Sequence, residues 1–132
     1  MKEVLELLIK KHFNGVVVFN KADTLVGVFC IQDVTAAIVP VEIQENAHLA
    51  DAMYKEHFFQ EMCAKIKNKK VKDVMRREFL TVELETSVMK VAAEFLTTNV
   101  YVFPVVENEK VIGIITRSEI KKALAHGMEI SA

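Results

Sequence analysis

Apolar and polar positions alternate along this chain in two different periods. Residues 102–106 form a short apolar run rich in β-branched side chains, 107–110 are polar, and 111–116 form a second β-branched run. From Arg117 the spacing becomes helical, with Ile120, Ala123 and Leu124 on one face. The pattern predicts strand, turn, strand and helix in quick succession. The same order of parts occurs in residues 16–38, where Gly27, Asp33 and Ile38 stand in the places of Gly113, Glu119 and Leu124. Upstream, residues 3–19 align without a gap on 90–106, so that Val4, Leu5, Leu8 and Ile9 fall on Val91, Ala92, Phe95 and Leu96. Both sets have the i, i+1, i+4, i+5 spacing of an apolar helical stripe. One extra residue in the turn 20–24 shifts the register between the copies. Each repeat therefore reads helix, strand, turn, strand, helix, and repeats of this kind bury their apolar faces against each other.

The second repeat has a leading segment that the first lacks. Residues 71–75 (VKDVM) and 80–83 precede its first helix, Leu80 and Val82 alternate with Thr81 and Glu83 as in a short strand, and Thr86 or Ser87 is placed to cap the helix. Met1 aligns with Val88, so the first repeat is expected to be short at its N-terminus. Between the repeats, 39–45 with Pro40 reads as an exit loop. Asn46 is expected to cap one amphipathic helix over 47–68, in which Tyr54, Phe58, Met62 and Ile66 recur every four residues and Leu49, Met53, Phe59 and Cys63 widen the stripe. That stripe is expected to pack on the module or on a second copy. Gly127 is expected to be a helix C-cap, Pro104 fits a strand start or edge, and 128–132 form an unassigned tail.

Composition narrows the function classes. Of 132 residues, 52% are hydrophobic, which argues against disorder, and the formal net charge of −1 gives no general attraction to nucleic acid or anionic lipid. No uncharged run approaches a membrane span of roughly 20 residues. Cys30 and Cys63 lack the spacing of a disulfide framework or zinc site, and the four histidines are scattered. A cytoplasmic location is expected. Lys65, Lys67, Lys69, Lys70, Lys72, Arg76 and Arg77 cluster, but Asp73 and apolar residues interrupt them, the mark of a solvated face more than of a nucleic-acid surface. No nucleophile with an adjacent base, P-loop or metal cluster is present, so no catalytic residue and no enzyme activity is expected.

VKDVM followed by FLTVELETSVMKVAAEFL, then FPVVENEKVIGIITRSEI, and the first-copy counterpart VVVFNKADTLVGVFCIQDV, together resemble the tandem CBS domain pair, or Bateman module. The resemblance implies a mixed α/β (α+β type) fold of two βαββα-like repeats with pseudo-two-fold symmetry, the first lacking its leading strand. Residues 1–43 would be the first repeat, 44–70 a helical linker and 71–132 the second repeat. It further implies a homodimer through helix faces, no catalysis, and an adenosine-type ligand (AMP, ADP, ATP or S-adenosylmethionine) between the repeats, regulating an unidentified partner protein.

In that family a G-x-x-[ST]-x-x-D motif ends the second strand, with the acid toward the ribose diol and the hydroxyl toward phosphate. Each copy here keeps half of it: Gly27, Cys30 and Asp33 in the first, Gly113, Thr116 and Glu119 in the second. The resemblance places the ligand against Asp33, with Cys30 and Gln32 beside it and Val74, Val100, Tyr101 and Val102 as walls, and assigns Thr116 and Ser118 to a second cleft left open on one side. Asp33 is equally suited to being only the N-cap of a 34–38 helix, and Glu119 to being a first-turn acid favoured by the helix dipole. Where many nucleotide-binding members carry His or Arg, this chain has Asn14 and Gly15, and Tyr101 and Val102; Lys69, Lys70, Lys72 and Arg117 are the basic candidates instead. The competing function is a structural module that dimerises and docks a partner with its clefts empty.

Overall fold

The computed structural model describes residues 1–53, 57–98 and 100–131. The first repeat consists of α1 (Lys2–Lys11), β1 (Gly15–Phe19), β2 (Leu25–Cys30) and α2 (Ile31–Ile38). The short helices α3 (Val41–Glu45) and α4 (Ala50–Met53) and the longer α5 (Phe58–Ile66) lead to the second repeat, α6 (Val88–Thr97), β3 (Val102–Glu107), β4 (Lys110–Thr116) and α7 (Arg117–Gly127). Each strand pair is an antiparallel two-stranded sheet, and the register slips at matching places, between Val18 and Phe19 and between Val105 and Val106. The internal repeat therefore extends to the irregularities of its strands. No helix among the described residues is long and apolar enough to cross a membrane.

Strand periodicity joins the halves. On β2, Val28 and Cys30 point into a core built mainly by the second repeat, with Val102, Phe103 and Val105 of β3 and Val91 of α6. Phe29, between them, faces the other way and packs with Leu8, Val34, Ile38 and Ile66 under α1, α2 and α5. The Phe95 and Phe103 rings meet with centroids 4.5 Å apart and planes tilted by 47°. The two sheets approach closely where β1 and β3 begin: a Cβ on Gly15 would lie 2.8 Å from Val102 Cγ2.

Several expectations change in detail. Residues 39–45 are not an open loop: Pro40 leads into α3, with Ile43 N and Gln44 N donating to Pro40 O at 3.0 Å. Asn46 does cap, its Oδ1 accepting from His48 N, but it caps a 3₁₀ turn over Ala47–Leu49, and α5 starts afresh after His57. The stretch through Tyr54 that would have made one helix lies outside the described residues. Phe58, Met62 and Ile66 do share α5, with Ile66 buried and Met62 packed beside it. Residues 80–83 contribute one parallel bridge, Val82 to Val105, rather than a strand, and Leu80 is exposed. Ser87, not Thr86, caps α6, accepting from Lys90 N at 3.2 Å. Pro104 sits inside β3 with neighbours on both sides; it stands opposite Ile114 and accepts from Val82 N, so its missing N–H interrupts no pairing there. Gly127 is the last helical residue of α7, and Glu129 takes the left-handed conformation at φ 56°.

Candidate ligand-binding cleft

The end of β2 and the end of β4 are built alike, and their small differences decide which is open. Each strand runs directly into a helix, and an acid at the third helical position reaches back to the capping backbone N–H. In the first repeat Cys30 N donates to Asp33 Oδ2 at 2.7 Å. In the second, Thr116 N and Thr116 Oγ1 both donate to Glu119 Oε2 at 2.6 Å, and Thr116 Oγ1 accepts from Ser118 N.

Asp33 is turned inward. Its side chain is only 7% exposed, and its second oxygen, Oδ1, receives Arg76 Nε at 2.8 Å in an ion pair that ties the first repeat to the leading segment of the second. It is the third residue of α2, not the N-cap. The surroundings are equally closed. Cys30 and Val102 are fully buried and Val100 nearly so. Val74 packs against the core of the first repeat, and Gln32 is half-buried on α2. The segment 71–76 thus lies where a wall was expected, but it lies directly on the strand. A Cβ on Gly27 would come within 2.7 Å of Met75 Sδ and 2.8 Å of Arg76 O.

Burial pushes the Cys30 thiol up, the nearby Asp33 carboxylate adds to this, and the Tyr101 N–H and Arg76 only partly offset it. Cys30 is accordingly a neutral core thiol, since reactivity belongs to the thiolate. A thiol reagent added to the native protein should modify Cys63, which is partly exposed, before Cys30; Cys30 reacting first, read by peptide mass mapping, would contradict this packing.

Thr116 and Ser118, by contrast, open onto a cleft of about 760 Å³ that also includes Tyr101, Ile114 and Arg117. Arg117 lies over the Tyr101 ring, with Cζ 3.7 Å from the centroid. The far wall comes from the end of α1, where His12 adopts a left-handed conformation (φ 57°) and turns the chain through Phe13 and Asn14 into β1. Lys11 enters from that side, and Lys121 and Lys122 from α7. Four permanent cations thus face one carboxylate, Glu119. Burial raises the Glu119 carboxyl, but the hydrogen bonds from Thr116, with help from Lys122, outweigh it and hold the group below its usual range. The cleft also has the N-terminus of α7, where the helix dipole favours an anion although Thr116 Oγ1 caps the first turn.

Of the residues expected to bind ligand, Thr116, Ser118 and Tyr101 are brought together here, while Asp33, Cys30, Val100 and Val102 are drawn into the core. Arg117 was legible as a basic candidate; Lys69, Lys70 and Lys72 do not reach this cleft. Lys11, Lys121 and Lys122 were missed. The i, i+4 spacing of Arg117 and Lys121 was a usable signal, but Lys11 joins them only through the fold.

Comparison with known proteins agrees with this architecture. The family model for the CBS domain matches residues 1–40 and 71–126. An uncharacterised protein of Methanocaldococcus jannaschii, MJ1426, is 29% identical over 92% of this chain and 79% of its own length. Among solved structures, the CBS-pair protein CBSX2 of Arabidopsis thaliana superposes with a TM-score of 0.69 at 28% identity, covering 98% of this chain and 82% of that one. CBSX2 in complex with AMP gives 0.64 at 29% identity, covering 96% and 81%. With two segments matched by the CBS domain model and a CBS-pair structure superposing over 98% of its length, the chain belongs to the CBS domain family and is built as a CBS pair.

Proposed function

We propose that this chain is a regulatory module, not an enzyme, that senses an adenosine nucleotide in the cleft at Thr116 and Ser118. One observation carries the reading: the cleft of about 760 Å³ combines a helix N-terminus, two hydroxyls and the cations Lys11, Arg117, Lys121 and Lys122 in one place. Such a set suits a phosphate, with hydroxyl and backbone N–H groups donating to its oxygens and lysine and arginine supplying charge. AMP, ADP and ATP fit this field better than S-adenosylmethionine, whose sulfonium adds positive charge to a positive site. The AMP complex of CBSX2 supports an adenosine ligand for a relative of the same build. Asp33, Cys30, Gln32, Val74, Val100 and Val102 are assigned here to holding the repeats together. In thermal melts, AMP, ADP or ATP at 100 times its dissociation constant should stabilise the fold by about 2.7 kcal/mol. S-Adenosylmethionine should do less. No shift with any of the four at millimolar concentration would leave the alternative, a structural module that docks a partner protein.

We also propose that the module works as a cytoplasmic homodimer. Two apolar grooves lie open, one between α6 and α7 and one where α1 meets α2 and α5. One, of about 310 Å³, runs along Val88, Met89, Ile120 and Leu124; the other, of about 330 Å³, along Leu5, Ile9, Val34 and Cys63. Met89 and Ile9 are 80% and 74% exposed in the single chain. Apolar surface of that kind, repeated at pseudo-symmetric places, suits a second copy. Light scattering at micromolar concentration should give twice the chain mass, and a monomer would overturn the assembly.

A further inference from the structure

The run from Lys65 to Arg77 holds seven of the chain's 17 basic residues and one of its 18 acids. In sequence it is broken by Ile66, Val71, Val74 and Asp73, but the fold removes each break. Ile66 is buried in the core of the first repeat, and Val71, Val74 and Met75 pack against that core. Asp73 turns its carboxylate back on its own backbone, where Oδ2 accepts from Lys70 N at 3.2 Å. Arg76 is engaged by Asp33. Lys65, Lys67, Lys69, Lys70, Lys72 and Arg77 remain outside, all exposed. Among the described residues no ion pair joins any of these six to a carboxylate. The backbone also gathers them. Lys67 N donates to Cys63 O, Lys69 N to Ile66 O and Asp73 N to Lys70 O, each at 3.0 Å, and Arg77 Nη2 donates to Lys72 O at 3.2 Å. Successive turns of this kind advance about 1.5–2 Å per residue, so the path from Lys65 to Lys72 covers at most roughly 15 Å, within two screening lengths at physiological salt. The acids collect elsewhere: Glu83, Glu85, Glu107 and Glu109 line one cleft beside the β3–β4 turn.

We propose that this basic ridge binds the phosphate backbone of a duplex nucleic acid without reading its sequence. At about 3.4 Å of axis per phosphate on one strand, a ridge of roughly 15 Å matches about four phosphates. Five of the six free cations are lysines, which meet phosphate as point charges and lack the planar fork that reads a base edge. No aromatic residue lies between Lys65 and Arg77, so unpaired bases find no ring to stack on, and a duplex suits the ridge better than a single strand. An anionic membrane is the poorer occupant, because no large apolar side chain of the ridge is exposed to anchor in lipid. An acidic protein is poorer as well, since a stable protein interface centres on buried aromatic or arginine anchors that the ridge does not offer. The inference does not rest on the nucleotide reading.

The probe is a labelled DNA duplex of about 20 base pairs, titrated with the full chain by fluorescence anisotropy between about 50 and 200 mM salt. Saturable binding is expected, and with about four phosphates contacted it should weaken about a hundred-fold across that range. A duplex of unrelated sequence should bind equally well. A triple variant, Lys69→Gln with Lys70→Gln and Lys72→Gln, should melt as the wild type does, because all three side chains are exposed. It should lose at least about ten-fold in affinity at the lower salt, and the slope of log affinity against log salt should fall by about 3. The same charge removed by Lys21→Gln, Lys90→Gln and Lys110→Gln, at exposed positions away from the ridge, should leave that slope unchanged. Absence of saturable binding at the lower salt, or an equal loss in the two triple variants, would overturn the proposal. So would tighter binding to polyglutamate or to anionic phospholipid vesicles than to the duplex, because the ridge would then serve an acidic protein or a membrane surface.

Discussion

Replacing Asp33 with alanine should lower the stability of the fold by about 2–4 kcal/mol, between the loss of one charged hydrogen bond and the rupture of a fully buried ion pair. Two interactions end together. The Cys30 N–H loses its acceptor at the start of α2, and Arg76 loses the carboxylate that pins residues 71–76 to β2. The upper limit for a buried pair is not reached, because the Arg76 side chain is 31% exposed and recovers water when its partner goes. Asp33→Asn should cost less, since the amide oxygen can still accept from Cys30 N while the charge is gone. Arg76→Ala should also cost less than Asp33→Ala, because it leaves the bond to Cys30 in place. Denaturant melts of the two single variants and the double variant give the coupling directly. A loss below about 1 kcal/mol in Asp33→Ala would mean that the pair does not fasten the two repeats.

Gly27→Ala and Gly113→Ala should have opposite outcomes although the glycines occupy the same place in the two repeats. At Gly27 the new methyl would press on Met75 Sδ, which can move, and on Arg76 O at 2.8 Å, which is main chain already committed to Val28 N. Overpacking of this sort costs about 1–3 kcal/mol. At Gly113 the methyl meets nothing, and replacing a glycine where an alanine fits without strain stabilises by about 0.4–1 kcal/mol through the unfolded chain. Equal effects at the two sites would show that Gly113 is covered as Gly27 is.

Much of this fold is visible in the sequence because the two copies check each other. The β-branched runs, the helical stripe of Leu8 and Phe95, and the C-x-x-D and T-x-x-E boxes all recur in the same order, with a one-residue shift at the turn, so a pattern that is ambiguous once is specified twice. The linker had no such second copy, and its wide apolar face did not show that Asn46 caps a separate short turn. The site was harder for a different reason. Asp33 and Glu119 sit at equivalent motif positions, so local spacing cannot say which is open. What decides it is Arg76, 43 residues from Asp33 in sequence, which consumes one carboxylate and carries the backbone that covers Gly27. Lys11 and Lys121 likewise share a cleft only because His12 turns α1 back toward β1. Long-range pairing of this kind is set by topology and leaves no periodic mark.

The most direct measurement is a calorimetric titration of AMP into the wild-type chain, Lys121→Glu and Asp33→Asn. Lys121→Glu changes a cation that faces the open cleft, and Asp33→Asn changes an acid that is buried away from it. The wild type is expected to take one AMP per chain. Lys121→Glu should weaken it at least about ten-fold, equivalent to roughly 1.4 kcal/mol, and Asp33→Asn, measured where it remains folded, should bind as the wild type does. Full affinity in Lys121→Glu together with loss in Asp33→Asn would place the ligand at the first repeat and contradict the assignment to Thr116 and Ser118.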